Sequence, residues 1–186
     1  MFAFAIFDLK KEVMFLARDR FGKKPLYYYF NSENKDFVFA STLQPIMFFP
    51  GFKKDIDKEA LYHFFYYGYI CEPASIFQNV YKLEPGSTLT LRLNNFKISK
   101  YCYWNVYEEY DRMSKCFFDE YSSAKSGLKD ALTKAVERRM IADVPLGTFL
   151  SGGIDSTLVT AIAQGISDKK INTYSIGFLD KRYDES

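Results

Sequence analysis

The stretch from Val144 to Val159 constrains this chain more than any other. Val144-Pro145-Leu146-Gly147-Thr148-Phe149-Leu150 is an apolar run with strand character, and Ser151-Gly152-Gly153-Ile154-Asp155-Ser156 is a loop. The loop opens directly into Thr157-Leu158-Val159-Thr160-Ala161-Ile162-Ala163, which reads as a buried helix. A strand, a double glycine and a helix in that order make a phosphate cradle. The glycines let the backbone approach a ligand with no Cβ in the way, while the helix start offers unpaired N–H groups and the positive end of its dipole. Ser151 and Ser156 add hydroxyls, and Asp155 can hold a Mg2+ ion whose other ligands are phosphate oxygens.

The spacing differs from Gly-x-x-x-x-Gly-Lys-Ser/Thr, in which a lysine reaches the β- and γ-phosphates. No lysine lies in this loop, which suits a grip on a leaving pyrophosphate better than transfer of a terminal phosphoryl group. A plain glycine turn between strand and helix is the competing reading, and the full Ser-Gly-Gly-x-Asp-Ser string argues against it. That string resembles the signature of the PP-loop ATP pyrophosphatases.

The 186 residues are 48% hydrophobic and 26% charged, enough to bury a core in one large or two small domains. A formal net charge of +2 gives no clustered basic footprint, so nucleic acid is not an expected partner. Aromatic residues make up 19%, an excess that points to β-rich packing. Cys71, Cys102 and Cys116 are widely spaced and form no Cys-x-x-Cys, which fits idle thiols in a reducing compartment. No apolar stretch reaches bilayer-spanning length, and Phe2 to Phe7 has no basic region before it. The expectation is a cytoplasmic protein with no membrane partner.

Phe2–Phe7 and Val13–Ala17 read as a hairpin, and a domain that begins inside a strand suggests further material upstream. Gly22 and Pro25 bracket a turn before the aromatic run Tyr27-Tyr28-Tyr29, and Phe37–Ser41 continues the β pattern. Asp57 is an expected N-cap for a helix to about Tyr67, with Ile56 and Leu61 as a hydrophobic staple and Leu61, Phe64 and Phe65 inward. His63, the only histidine, lies within it and reads as a surface or half-buried residue rather than a base. Pro85-Gly86 turns the chain between Val80–Leu83 and the alternating strand Ser87–Leu93, which ends at Asn94-Asn95. Residues 105–123 lose periodicity and read as a linker.

From Ala124 the period changes. Leu128, Ala131, Leu132, Ala135, Val136 and Met140 recur at helical spacing, with Arg138 and Arg139 in the last turn, where the dipole favours cations. The loop segment and a second apolar strand, Ile171–Phe178, complete a βαβ unit, whose loop belongs at the C-terminal edge of a parallel sheet. Two strands cannot bury themselves, so more sheet is expected beyond Ser186.

The order of these pieces resembles glutamine-hydrolysing asparagine synthetase over essentially the whole chain. The resemblance is carried by Phe2–Asp8, Arg18-Asp19 with Gly22 and Pro25-Leu26-Tyr27-Tyr28, Phe39-Ala40-Ser41, Lys82-Leu83-x-Pro85-Gly86, and the string Asp143–Ser156. It implies an α+β remnant of an N-terminal-nucleophile glutaminase sandwich over 1–104, a linker over 105–123, and the start of an α/β parallel-sheet PP-loop domain over 124–186. It implies ATP-dependent amidation of aspartate through an aspartyl-adenylate, with glutamine or ammonia as nitrogen source and ATP and Mg2+ as cofactors. Leu150, Ser151, Gly152, Gly153, Asp155 and Ser156 would bind ATP, Asp155 the metal, and Ile176 the adenine face.

The family's glutaminase uses a cysteine that becomes the first residue, whereas this chain begins Met1-Phe2. No glutaminase nucleophile is identified, and the chain reads as a truncated form. Thr42 stands where an acidic residue is usual in the family. The alternatives are an amidotransferase acting on a sugar or another carboxylate, a non-catalytic ATP-binding relic, and a different PP-loop ligase, such as a GMP- or NAD-synthetase type, which the β-rich first half opposes. A homodimer is left open as the assembly.

Overall fold

The computed structural model describes residues 1–177, in two compact units, Met1–Lys115 and the remainder from Cys116. Phe178, the end of the expected second strand, and the stretch to Ser186 lie outside the described residues.

The first unit is built from two antiparallel sheets. Strands β1 (Ala3–Asp8) and β2 (Val13–Arg18) form the expected hairpin, with Ala3 opposite Arg18 and Asp8 opposite Val13. Strands β3 (Tyr27–Asn31) and β4 (Asp36–Ala40) form a second hairpin. Strand β5 (Val80–Lys82) pairs with the other edge of β3, while β6 (Ser87–Arg92) and β7 (Lys97–Cys102) extend the first sheet. The orders are β1-β2-β6-β7 and β4-β3-β5. Sequence periodicity does not announce β7, because four of its six residues are Lys97, Ser99, Lys100 and Cys102 and only Ile98 is even partly buried.

Side-chain alternation makes this pair of sheets a sandwich. Leu16 from β2 and Leu89 and Leu91 from β6 point to one side and meet Tyr28 of β3, with Leu26 and Leu83 closing the cluster. Each such leucine, withdrawn from water, contributes about 1.5–3 kcal/mol. The next residue of β3, Tyr29, faces the opposite way, into a second cluster with Ile46 and Val80. Ile46 is the buried residue of the short helix α1 (Leu43–Met47), which the sequence does not announce because Pro45 lies within it.

Helix α2 (Lys58–Tyr67) starts where expected. The Asp57 carboxylate accepts from the Glu59 and Ala60 N–H groups, and Gly68 closes the far end. Its inward face is a correction: Ala60 is the buried residue and Leu61 is half-buried, while Phe64 and Phe65 are 46% and 79% exposed. The aromatics are too numerous for one face, so the narrow stripe that meets the body goes to a small side chain. His63 is half-buried between the rings of Tyr62 and Tyr67. Within the stretch read as a linker lies helix α3 (Val106–Met113), capped by Asn105 through the Tyr107 N–H.

Two adjacent residues tie the first unit together. Arg18 is 6% exposed and donates to the carbonyls of Lys24, Gly22 and Leu83 and to the Glu72 carboxylate at 2.7 Å. Asp19, equally buried, receives the N–H groups of Phe21 and Lys23 on one oxygen and of Phe2 and Lys24 on the other, each at 3.1 Å. Its backbone carbonyl also accepts from Gly86. Gly86 has φ +63°, and a Cβ there would lie 2.1 Å from the Trp104 carbonyl oxygen, so no other residue fits this turn.

In the second unit, helix α4 (Tyr121–Glu137) is followed by strand β8 (Gly147–Phe149), helix α5 (Ile154–Ile166) and strand β9 (Asn172–Tyr174). The strands are parallel, with Gly147 opposite Asn172 and Phe149 opposite Tyr174, and α4 packs against α5. Three expectations are corrected. Leu128 of α4 is 60% exposed, and the buried residue is Val136. Arg138 is the C-cap and Arg139 lies beyond the helix, where it donates to the Ala135 carbonyl. Helix α5 is not a buried helix: Ala163 is its buried residue, and Leu158 and Val159 are more than two-fifths exposed. The described sheet has only two strands and covers one side of it.

The Asp19 carboxylate sets a pH dependence. Burial alone would raise its pKa, but the four backbone N–H donors outweigh it and hold the value below that of an ordinary aspartate. A depressed folded value gives stability that is present above the unfolded value, about 3.9, and is lost as pH falls through the folded one. Asp19→Asn turns two of the four N–H groups toward an amide NH2. It is expected to cost about 2 kcal/mol at pH 7 and to flatten the acid limb of the stability curve, as read from urea midpoints between pH 2 and 7.

Candidate functional site

The Ser-Gly-Gly-x-Asp-Ser loop leaves β8 at its C-terminal end and enters α5, the place where open α/β sheets present ligands. Gly152 adopts φ +80°, a left-handed turn that a side chain would strain, and Gly153 is the N-cap of α5. A glycine cap brings no side-chain acceptor. The first N–H groups of the helix, at Ile154, Asp155 and Ser156, therefore have no cap to receive them, and they carry the positive end of the dipole.

The hydroxyls turn inward and hold the loop. Ser156 Oγ receives the Ser151 N–H at 3.3 Å, lies 3.1 Å from Ser151 Oγ, and donates to the Gly153 carbonyl at 3.1 Å. Thr157 Oγ1 donates to the same carbonyl at 2.8 Å. The two serines are thus a brace across the loop, and a bound anion would have to redirect one of their protons. Asp155 projects from the first helical turn and is exposed, as are Ser151, Gly152 and Gly153.

The parallel ladder brings the remaining residues to the loop. The Leu150 N–H donates to the Tyr174 carbonyl at 2.8 Å, and the Ser175 hydroxyl donates to the Leu150 carbonyl. Ile176 follows directly, 68% exposed, with its side chain free for a planar partner. Thr160 on α5 donates to Thr148 on β8 at 3.0 Å, fixing the helix against its strand. Reading the sequence missed Ser175, Thr148 and Thr160. Their signal was present, since a small hydroxyl residue at a strand end or mid-helix needs a partner.

The donor set fits a magnesium–nucleotide. Among the described residues no group of three or more His, Cys, Asp and Glu side chains forms a metal cage. A single exposed carboxylate beside free N–H groups suits Mg2+, which commonly holds one or two carboxylates together with phosphate oxygens and water. All three cysteines are free thiols: in the first unit Cys71 is half-buried and Cys102 exposed, and in the second Cys116 is exposed.

If Ser156 braces the loop, Ser156→Ala removes the acceptor of the Ser151 N–H, a bond of about 1 kcal/mol. Amide exchange at Ser151 is expected to quicken about fivefold while that of Ala163 stays the same, as read by hydrogen–deuterium exchange.

Comparison with known proteins supplies the family. Residues 1–104 match the glutamine amidotransferase domain and residues 127–186 the asparagine synthase family. The chain is 36% identical over 183 residues to asparagine synthetase (glutamine-hydrolyzing) 3 of Bacillus subtilis, covering 96% of this chain and 28% of that protein. It is 35% identical over 189 residues to asparagine synthetase (glutamine-hydrolyzing) 1 of the same organism, covering 100% and 28%. A Methanocaldococcus jannaschii relative whose name carries the same enzyme is 40% identical over 189 residues, covering 100% and 35%. The chain thus spans about a third of the length of the curated relatives it matches. With a glutamine amidotransferase domain followed by an asparagine synthase match, the chain belongs to the glutamine-hydrolysing asparagine synthetase family.

Proposed function

We propose that this chain carries the nucleotide-gripping element of an ATP-dependent amide-forming ligase, with aspartate as the carboxylate and glutamine or ammonia as the nitrogen source. The observation that carries the reading is the uncapped start of α5 behind Gly152-Gly153, with Asp155 in its first turn. Leu150, Ser151, Gly152, Gly153 and Ser156 surround the phosphate chain, Asp155 holds Mg2+, and Ile176 packs on the adenine. Bound Mg2+ supplies charge neutralisation on the departing pyrophosphate. The chain's own part is to bind and orient: N–H groups fixed in advance along α5 face the charge that develops on the leaving oxygens. This is a PP-loop arrangement in our reading, supported by a parallel strand pair and a strand–loop–helix order.

The nitrogen we propose reaches the activated carboxylate as ammonia, supplied free or by hydrolysis of glutamine. The cytoplasm is the compartment we propose, on the three free cysteines. Among the described residues no helix is long and apolar enough to cross a membrane. A second reading, ATP binding without turnover, is favoured by the apolar side chains of α5 that the described sheet leaves uncovered.

Calorimetry with Mg–ATP is expected to show saturable binding that Asp155→Ala weakens at least tenfold; a flat titration contradicts the proposal. ATP–pyrophosphate exchange with added aspartate then separates the two readings, since exchange requires adenylation and a binding relic gives none.

A further inference from the structure

The first unit contains a cavity of about 620 Å³ that the proposed nucleotide chemistry does not use. Its size falls within the range of small-molecule sites. Three chain segments wall it, the Arg20–Phe21 turn, the Glu84–Ser87 turn, and the end of β7 running into α3. Backbone bonds lock these walls together. The Gly86 N–H donates to the Asp19 carbonyl at 2.9 Å, and the Gly86 carbonyl accepts from Tyr103 and Trp104 at 2.8 and 3.2 Å. The Tyr103 hydroxyl donates to the Arg18 carbonyl at 2.7 Å. A cavity fixed in this way loses little entropy when it is filled.

Its chemistry is divided. Part of the lining is aromatic, with the Phe21 and Trp104 rings 4.9 Å apart and Phe21 65% exposed. The lining also carries two cations of different standing. Lys100 is neutralised by Glu84 at 3.5 Å. Burial alone would lower the Lys100 pKa, but the Tyr28 hydroxyl and the Glu84 carboxylate outweigh it and keep the ammonium charged. Arg20 is exposed and forms no ion pair among the described residues. One uncompensated guanidinium matches a single carboxylate, which it can hold through two parallel hydrogen bonds. A phosphate dianion would leave charge unpaired, and a cation would be repelled.

We propose that this cavity binds a planar aromatic monocarboxylate, with its ring against Phe21 and Trp104 and its carboxylate on Arg20. The cavity is lined by residues of the first unit alone, and the proposal does not rest on the function proposed for the Ser151–Ser156 loop.

Cys102 lines the same cavity and is exposed, so its alkylation reports occupancy. Iodoacetamide labelling of the whole chain is followed by mass spectrometry in the presence of indole-3-acetate, with Cys71 and Cys116 as internal references. The expected result is saturable slowing at Cys102 alone, with the half-protecting concentration rising about tenfold or more in Arg20→Gln and in Trp104→Ala. Arg20 is exposed, so its variant folds even if Trp104→Ala does not. The neutral 3-methylindole is expected to protect at least tenfold less well. No slowing at Cys102, equal slowing at Cys116, unchanged protection in Arg20→Gln, or equal protection by 3-methylindole would overturn the proposal.

Discussion

A buried carboxylate with four backbone donors holds the first unit in register. Asp19 stands at the end of the β1–β2 hairpin, and its oxygens gather N–H groups from before β1 and from the turn that leads to β3. An uncompensated buried charge would cost several kcal/mol, so the turn can only fold with its amides pointing inward. Arg18 does the converse with carbonyls, reaching Leu83 beyond β5. Together they join the two sheets at the end where their cores converge on Leu26 and Leu83. The same residues fix the wall of the cavity beside Trp104, so its shape follows from the fold rather than from a ligand.

The second unit rests on a different constraint, the unpaired start of a helix. The two strands among the described residues supply little burial, and α5 keeps Leu158 and Val159 partly in water. What is well determined is the loop. The Leu150–Tyr174 and Thr160–Thr148 bonds fix both of its ends, and the serine brace fixes its middle. Among the described residues, local hydrogen bonding more than core packing holds these N–H groups in place.

Much of this is legible in the amino-acid sequence. Alternation along Phe2–Phe7 and Ser87–Leu93, the Asp57 cap and the Pro85-Gly86 turn each act within a few residues, and short-range signals survive in a single sequence. The loop was legible because glycine and hydroxyl residues in that order have few other uses. The orientation of side chains was harder. In α2 the hydrophobic rule selects Phe64 and Phe65, yet Ala60 is the residue that is covered, because which stripe is buried depends on partners far away in sequence. Helices α1 and α3 were hidden for local reasons, a proline in one and a charged, wholly unburied surface in the other. The matches to glutamine amidotransferase and asparagine synthase models agree with the resemblance read from Arg18-Asp19 and Ser151–Ser156.

The central claim is that the start of α5 grips the phosphate chain of a nucleotide. Titrating the 15N-labelled chain with magnesium pyrophosphate, and following amide resonances, tests it with no adenine to add contacts elsewhere. The account predicts saturable shifts concentrated at Gly152, Gly153, Ile154, Asp155 and Ser156. Shifts that never saturate, or that fall on the lysine-bearing turns while those five amides stay still, would contradict it.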